Sequence, residues 1–237
     1  MDLSISTTSP SRRQLNAVTE TRAYDLALRL PLTVFYIYVL MVSAPMLIET
    51  ALSLPALGFP ILPVAQVVAR LAFLLFATLM VGVTVVRRRP VAKSPGIVGR
   101  VVALGGACLP LVQPLLPHDE PSAAMLLVSA TLVMVGNGLS LWTLSWLGRS
   151  FSVMPEARRP VTGGPYAYIR HPLYACEQVA LVGIALQFFS VYALVVLVAQ
   201  VALQLGRMHY EERVLAVAFP DYVAYQARTA RLIPGVY

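Results

Sequence analysis

One long apolar block decides how this chain is organised: residues 173–206, LYACEQVALVGIALQFFSVYALVVLVAQVALQLG. A single pass across a bilayer takes roughly 20 mostly apolar residues, so the block is too long for one pass. Phe189, Ser190 and Val191 interrupt it near its middle. We therefore predict a tight hairpin of two short membrane-spanning helices that turns at these three residues.

The rest of the chain supplies four more apolar stretches of spanning length, at about 30–53, 61–86, 98–117 and 121–147. Hydrophobic residues make up 58% of the 237 residues and charged residues only 12%, whereas soluble domains carry about 25% charged residues. Together with the hairpin, these stretches predict an all-α polytopic transmembrane protein with about six spans.

The distribution of basic residues predicts how these spans are oriented. Of the 18 lysines and arginines, all but Arg70 lie before the first span, between the second and third spans or at the start of the third (Arg100), between the fourth and fifth, or after the last. The opposite side carries Glu49, Asp119 and Glu120 instead. By the positive-inside rule, we expect both termini to lie in the cytoplasm. We also expect the protein to reside in the plasma or inner membrane. Arg70, within a span, either packs against a neighbouring helix or belongs to a site.

The composition also limits the expected partners. The net charge of +7 follows from the basic loops and favours anionic lipid headgroups over nucleic acid. Cys108 and Cys176 fall in separate spans, so no disulfide framework is expected. The lipid bilayer is the expected partner, and no obligate protein partner is evident.

We divide the chain into three regions. Residues 1–29 are expected to form a polar cytoplasmic tail, since they lack the apolar core of a signal peptide. Residues 30–120 are expected to form a transmembrane scaffold. Residues 121–237 hold the concentrated polar features and are expected to carry the chemistry.

The segment GGPYAYIRHPLY, residues 163–174, places many polar and aromatic groups between two apolar stretches. Pro172 suits the first turn of a helix, and the free N–H groups of such a turn attract anions. Tyrosine faces attract cations. The alternative is an interfacial aromatic belt, which explains neither the glycines and prolines nor His171. This segment is therefore predicted to line a binding site.

Three other features have both a functional and a structural interpretation. GNG, residues 136–138, lies in the fourth span, where small residues admit either a ligand or a neighbouring helix. RMHYEER, residues 207–213, puts Arg207 and Glu211 on one helix face, as a site or as a solvated ion pair. Residues 219–237 carry aromatic residues at helical spacing, which predicts an amphipathic surface helix.

Two of these segments flank the same hairpin. Residues 163–174 precede it and residues 207–213 follow it, so both should lie on the same side of the membrane and close together. We expect them to form a polar pocket at the cytoplasmic lipid–water boundary. Such a pocket can receive a lipid from the bilayer and a soluble cofactor from the cytosol.

The order of these elements resembles the isoprenylcysteine carboxyl methyltransferase family, over roughly residues 130–237. The resemblance is carried by LGRSF (147–151), VTGGPYAYIRHPLY (161–174), the Glu-Glu pair at 211–212 and RLIP (231–234). Phospholipid N-methyltransferases are similar in having Gly-x-Gly and Glu-Glu elements. The resemblance implies an integral membrane enzyme that uses S-adenosyl-L-methionine (SAM), with no metal, in a cytoplasm-facing pocket.

The resemblance also implies roles for single residues. Arg207 and Glu211 match an Arg-x-x-x-Glu arrangement that resembles the substrate and catalytic pair. Cys176 stands where the family usually has glycine. The residues implied to bind the cofactor are Gly136, Gly138, Gly164, Pro165, Tyr166, Arg170, His171, Tyr174 and Glu212; of these, His171 and Glu212 are expected to face an aqueous pocket.

The expected reaction is methyl transfer to a lipidic or membrane-associated acceptor. A carboxylate acceptor would be held by the planar fork of Arg207, whereas a thiol or amine would give a proton to Glu211. NADPH-dependent sterol-type reductases share an RHP-x-Y element and are an alternative, although the Glu-Glu pair and the RLIP ending favour methyltransferases. A non-enzymatic transporter or sensor is another, but transporters usually show internal repeats, and the sequence has none.

Overall fold

Helices account for most of the computed structural model, which describes residues 22–94 and 97–235. Five segments are long and apolar enough to cross a membrane, which confirms the predicted all-α polytopic fold. Of the tail predicted at residues 1–29, residues 1–21 lie outside the described residues. The first helix begins at Arg22, earlier than the predicted start of the first span at about residue 30. The α-helices are α1 (Arg22–Leu57), α2 (Ile61–Val86), α3 (Val98–Cys108), α4 (Ala123–Leu147), α5 (Pro172–Gln187), α6 (Val191–Ala218) and α7 (Asp221–Arg228).

The helices α5 and α6 form the predicted hairpin. Ser190 precedes α6, and its hydroxyl accepts a hydrogen bond from the N–H of Ala193 at 3.1 Å, which caps the helix. Helix α5 has 16 residues and is shorter than the five long segments, so the predicted sixth pass depends on this helix. Helix α6 continues beyond the apolar block to Ala218, so residues 207–213 lie on this helix.

Two loops pair on one side of the molecule. A short strand β1 (Ala92–Lys93) runs antiparallel to β2 (Glu156–Ala157), with Ala92 opposite Ala157. Residues 87–94 and loop 148–171 therefore share one side, which we call the basic side. On the opposite side, the N–H of Asp119 donates to the carbonyl of Phe189 at 3.1 Å. The loops after the second and fourth predicted spans thus lie together. That this side faces the cytoplasm stays a prediction.

Helices α4 and α5 approach closely because small residues meet at their contact. A Cβ on Gly136 would lie 2.3 Å from the backbone nitrogen of Ala180, and one on Gly183 would lie 2.8 Å from the carbonyl oxygen of Ser129. The Ser129 hydroxyl donates to the carbonyl of Gly183 at 2.8 Å. Small residues and interhelical hydrogen bonds are the usual means of helix association in membranes. Gly136 thus forms a packing notch.

Arg70 bonds to a neighbouring helix. Its Nη1 donates to the hydroxyl of Thr50 at 2.8 Å and to the carbonyl of Met46 at 3.1 Å, both on α1. Of the two interpretations of this residue, the structure favours packing between α1 and α2.

Reporter fusions test the orientation of the helices. A reporter that is active only in the cytoplasm should be active when fused after Ala92 or Pro155 and inactive after Gly58 or Asp119, because the basic loops are retained inside. A cytoplasmic signal after Asp119 would contradict the predicted topology.

The substitution Gly136→Ala tests the notch. The new methyl group would overlap the backbone of Ala180, and overpacking typically costs about 1–3 kcal/mol of unfolding free energy. Gly138→Ala is the matched control, since a Cβ there meets no atom within 4 Å and alanine favours helix. Thermal unfolding in detergent should give a lower midpoint for Gly136→Ala only. Equal midpoints would exclude the notch.

Candidate active site

A cleft opens on the basic side between the end of α4, loop 148–171, α6 and α7. It has about 720 Å³ of atom-free space when the open solvent at its mouth is included. Four tyrosines line it: Tyr166, Tyr174, Tyr222 and Tyr225. Aromatic rings from three separate elements thus surround one space.

The segment 163–174 folds tightly against α4 to form part of this cleft. Gly164 has a φ of +59°, and a Cβ there would lie 2.6 Å from the ring of Trp146, so the position suits only glycine. A 3₁₀ turn covers Gly164–Ala167, and Pro172 begins α5. Because of this path, the backbone presents Tyr166 and His171 to the cleft.

The C-terminal segment is bonded to the same stretch. The N–H of Arg170 donates to the carbonyl of Ala230 at 2.9 Å, and the N–H of His171 donates to that of Arg231 at 3.1 Å. This pairing gives the RLIP ending a structural role, since it holds the chain after α7 against the cleft.

Helix α7 closes the cleft with two buried tyrosines. The Tyr225 hydroxyl donates to the carbonyl of Tyr166 at 2.6 Å. Burial raises the pKa of Tyr225 to about 12 and raises the pKa values of Tyr166 and Tyr222 well above the usual range. These phenols therefore keep their protons at neutral pH, and Tyr225 remains a hydrogen-bond donor.

Glu212 lies behind the cleft wall, with 4% of its surface exposed. Its Oε1 accepts a hydrogen bond from Arg170 Nε at 2.7 Å and lies 3.1 Å from His171 Nε2. Its Oε2 accepts from Arg231 Nη2 at 2.7 Å. We expected Glu212 to face the aqueous pocket, but it does not line the cleft because both oxygens are engaged within the protein. It positions Arg170 and His171, which do line the cleft.

Glu211 faces the cleft beside two ordered neighbours. Its Oε1 accepts hydrogen bonds from the Tyr174 hydroxyl at 2.5 Å and from Arg207 Nε at 3.1 Å. The Arg207 guanidinium lies 4.7 Å from the centroid of the Tyr174 ring, and its Nη2 donates to the carbonyl of Ser152 at 3.0 Å. The other oxygen of Glu211 has no hydrogen-bond partner among the described residues and is available to a ligand.

The structure brings part of the predicted set to the cleft: Tyr166, Arg170, His171, Tyr174 and Glu211. The remaining predicted residues do not line it: Gly136, Gly138, Gly164, Pro165, Arg207 and Glu212. Gly136 meets α5, and Gly138, two residues on, faces outward because successive helical residues are rotated by about 100°. The cofactor role of the glycine pair stays a prediction, and packing is the role that the structure supports for Gly136.

Four polar side chains between α5 and α6 were missed by the sequence analysis: Glu177, Gln178, Gln200 and Gln204, which we call the polar ladder. Gln204 Nε2 donates to Glu177 Oε2 at 3.2 Å, and Gln178 Nε2 donates to Gln200 Oε1 at 2.8 Å. Glu177 lies about one turn along α5 from Tyr174. The available signal was the presence of amides and a carboxylate inside two apolar stretches.

Arg158, one of the basic residues between the fourth and fifth predicted spans, is a further residue that the sequence did not single out. It is 2% exposed, yet it lines the cleft. Its Nε donates to the carbonyl of Arg88 at 2.7 Å, and its Nη2 donates to Glu156 Oε2 at 2.8 Å. Lys93 lies 3.2 Å from the other oxygen of Glu156.

Comparison with known proteins supports the predicted relationship. Residues 124–221 match the family model described as phospholipid methyltransferase. This stretch contains the α5–α6 hairpin and most of the cleft. Over these residues the chain is similar to phospholipid methyltransferases, and the match confirms the resemblance that the sequence indicated over this part of the chain.

Two curated proteins match over about half of their length. The cobalt-zinc-cadmium resistance protein CzcN of Cupriavidus metallidurans is 34% identical over 110 residues, which are 45% of this chain and 51% of that protein. The nickel-cobalt-cadmium resistance protein NccN of Alcaligenes xylosoxydans xylosoxydans is 31% identical over 112 residues, which are 45% of this chain and 52% of that protein.

The substitution Glu212→Gln should destabilise the protein, because it leaves Arg170 and Arg231 without their buried anion. Removing one partner of a buried ion pair typically costs about 3–5 kcal/mol. Glu211→Gln is the matched control: it makes the same chemical change one residue away, where the side chain is 17% exposed. In detergent, the midpoint of thermal unfolding should fall further for Glu212→Gln than for Glu211→Gln. Equal falls in the midpoint would contradict the structural role of Glu212.

Proposed function

We propose that this protein transfers a methyl group from SAM to a lipidic or membrane-associated acceptor on the cytoplasmic side of the membrane. The observation that carries the proposal is the position of Glu211 and Tyr174. Both side chains lie in the wall of an open cleft, on helices that continue into the apolar part of the molecule. An acceptor anchored in the bilayer and a ligand from the aqueous side can meet there.

The cleft fits a ligand of SAM's chemistry. Tyr166 Oη and Arg158 Nη1 are buried and have no hydrogen-bond partner among the described residues, and both residues line the cleft. Buried polar groups are normally paired, so these atoms favour a ligand with polar groups of its own. Tyrosine faces suit the adenine ring and the sulfonium cation. When bound, SAM supplies an electrophilic methyl group.

The residues at the cleft wall can orient the acceptor and take its proton. Arg207 and the Tyr174 hydroxyl fix one oxygen of Glu211, and the other oxygen is open to a thiol or amine that donates a hydrogen bond. Alignment of donor and acceptor can lower a barrier by about 7–11 kcal/mol. Arg207 is less able to bind a carboxylate acceptor, because it already donates hydrogen bonds to Glu211 and to the Ser152 carbonyl.

Calorimetry with two ligands separates this function from the reductase alternative. The purified protein should bind S-adenosylhomocysteine, the product that SAM leaves behind, and should not bind NADPH. The family match favours this result. Binding of NADPH with no binding of S-adenosylhomocysteine would overturn the proposal.

The substitution Arg207→Lys tests the chemistry. It keeps the charge but loses the planar fork that holds Glu211, and one charged hydrogen bond is worth about 1.5–3 kcal/mol, so turnover should fall about 10- to 100-fold. Affinity for S-adenosylhomocysteine should change little, since Arg207 does not line the cleft. Transfer of labelled methyl groups from SAM into membrane lipids measures turnover.

Arg213→Lys is the control for this experiment, because Arg213 lies on the exposed face of the same helix. Glu211→Gln should also lower turnover, and by less at high pH, where a thiol or amine gives its proton to water. Near-normal transfer by Arg207→Lys and Glu211→Gln together would place the reaction elsewhere.

A further inference from the structure

We propose that Arg158 is an anion-binding residue that holds the carboxylate or phosphate end of a ligand in the cleft. The inference rests on the proposed function for the cleft. It adds that the ligand group bound next to Arg158 carries a negative charge. None of the motifs that carry the family resemblance includes Arg158.

The Arg158 side chain is fixed through two of its three nitrogens. Its Nε donates to the carbonyl of Arg88, and its Nη2 donates to Glu156. The third nitrogen, Nη1, is buried and has no hydrogen-bond partner among the described residues. A donor on a guanidinium held at its other positions is already oriented, so a ligand need not spend side-chain entropy to use it.

The charge of Arg158 is only partly balanced by its carboxylate neighbour. Glu156 shares its charge between Arg158 on Oε2 and Lys93 on Oε1, and the Ser152 hydroxyl donates to Oε2 at 3.0 Å as well. A buried cation is costly unless an anion compensates it. A carboxylate or phosphate in the cleft would supply that compensation and accept the Nη1 hydrogen.

A purely structural role accounts for less of this arrangement. The backbone pairing of β1 with β2 already joins the two loops that Lys93, Glu156 and Arg158 occupy. A structural ion pair also gives no reason for an unpartnered donor on a residue that lines the cleft. Arg159 lines the cleft next to it and adds a second, exposed positive charge, which would attract the same kind of anion.

Two sources of the anion are chemically equivalent at this site. One is the amino-acid carboxylate of SAM, and the other is the phosphate of a lipid headgroup. Either would accept a charge-assisted hydrogen bond from Arg158 Nη1.

Calorimetry with three probes tests the inference on the full chain in detergent. S-adenosylhomocysteine carries the carboxylate, 5′-methylthioadenosine has the same adenosyl thioether without the amino-acid end, and glycerol 3-phosphate represents a lipid phosphate. If the anion is the carboxylate, Arg158→Gln should lower the affinity for S-adenosylhomocysteine about 10- to 100-fold. The affinity for 5′-methylthioadenosine should not change. If the anion is the lipid phosphate, the same loss should appear for glycerol 3-phosphate alone.

The ratio of the two nucleoside affinities is measured in one sample, so partial unfolding affects both and does not change the ratio. Arg213→Gln, which removes an exposed charge from α6, is the matched control and should leave all three affinities unchanged. Glu156→Gln provides an opposite test: it removes the competing carboxylate and should tighten the anionic probe by about two- to tenfold.

The inference is overturned if Arg158→Gln and Glu156→Gln leave the affinities of both anionic probes unchanged, or if the unmodified protein binds neither of them. The outcome for the proposed function is separate. If the unmodified protein does not bind S-adenosylhomocysteine but binds glycerol 3-phosphate through Arg158, the SAM-dependent function fails and the anion site stands.

Discussion

The buried carboxylate of Glu212 is the constraint on which the rest of the cleft depends. It joins α6 to the start of α5 through His171, to the preceding loop through Arg170, and to the C-terminal segment through Arg231. A carboxylate out of contact with water is tolerated only when cations and hydrogen bonds surround it. The same three partners that satisfy Glu212 therefore fix the position of the residues that face the cleft.

The Glu-Glu pair divides two tasks between adjacent positions. Neighbouring residues on a helix point about 100° apart, so Glu211 reaches the cleft while Glu212 turns toward the protein interior. Tyr174 also has two roles. Its hydroxyl donates to Glu211, and its ring contacts the Arg207 guanidinium and stacks on the His171 imidazole with the ring centroids 5.3 Å apart. Substitutions at the two glutamates are therefore expected to affect different properties of the protein.

Periodic and local features were predictable from the sequence, and contacts between distant segments were not. Segment length and hydropathy predicted the helices, and Ser190 marked the turn of the hairpin. The order of Gly164, Pro172 and Glu211 indicated the cleft. Three contacts depend on how the helices are rotated against one another. They are the partners of Glu212, the pairing of Lys93 with Glu156, and the side of α4 on which Gly136 lies. Short-range sequence patterns carry little information on that rotation.

The polar ladder has a consequence for how the chain enters the bilayer. Helix α5 is short and carries Glu177 and Gln178 in its first half, and a charged side chain inside lipid costs about 2.5–3.5 kcal/mol even by insertion scales. The partners of these groups, Gln204 and Gln200, lie on α6 and are synthesised later. Helix α5 is therefore poorly suited to pass from the translocation machinery into lipid by itself. Helices α5 and α6 should instead partition into lipid together, as a single hairpin.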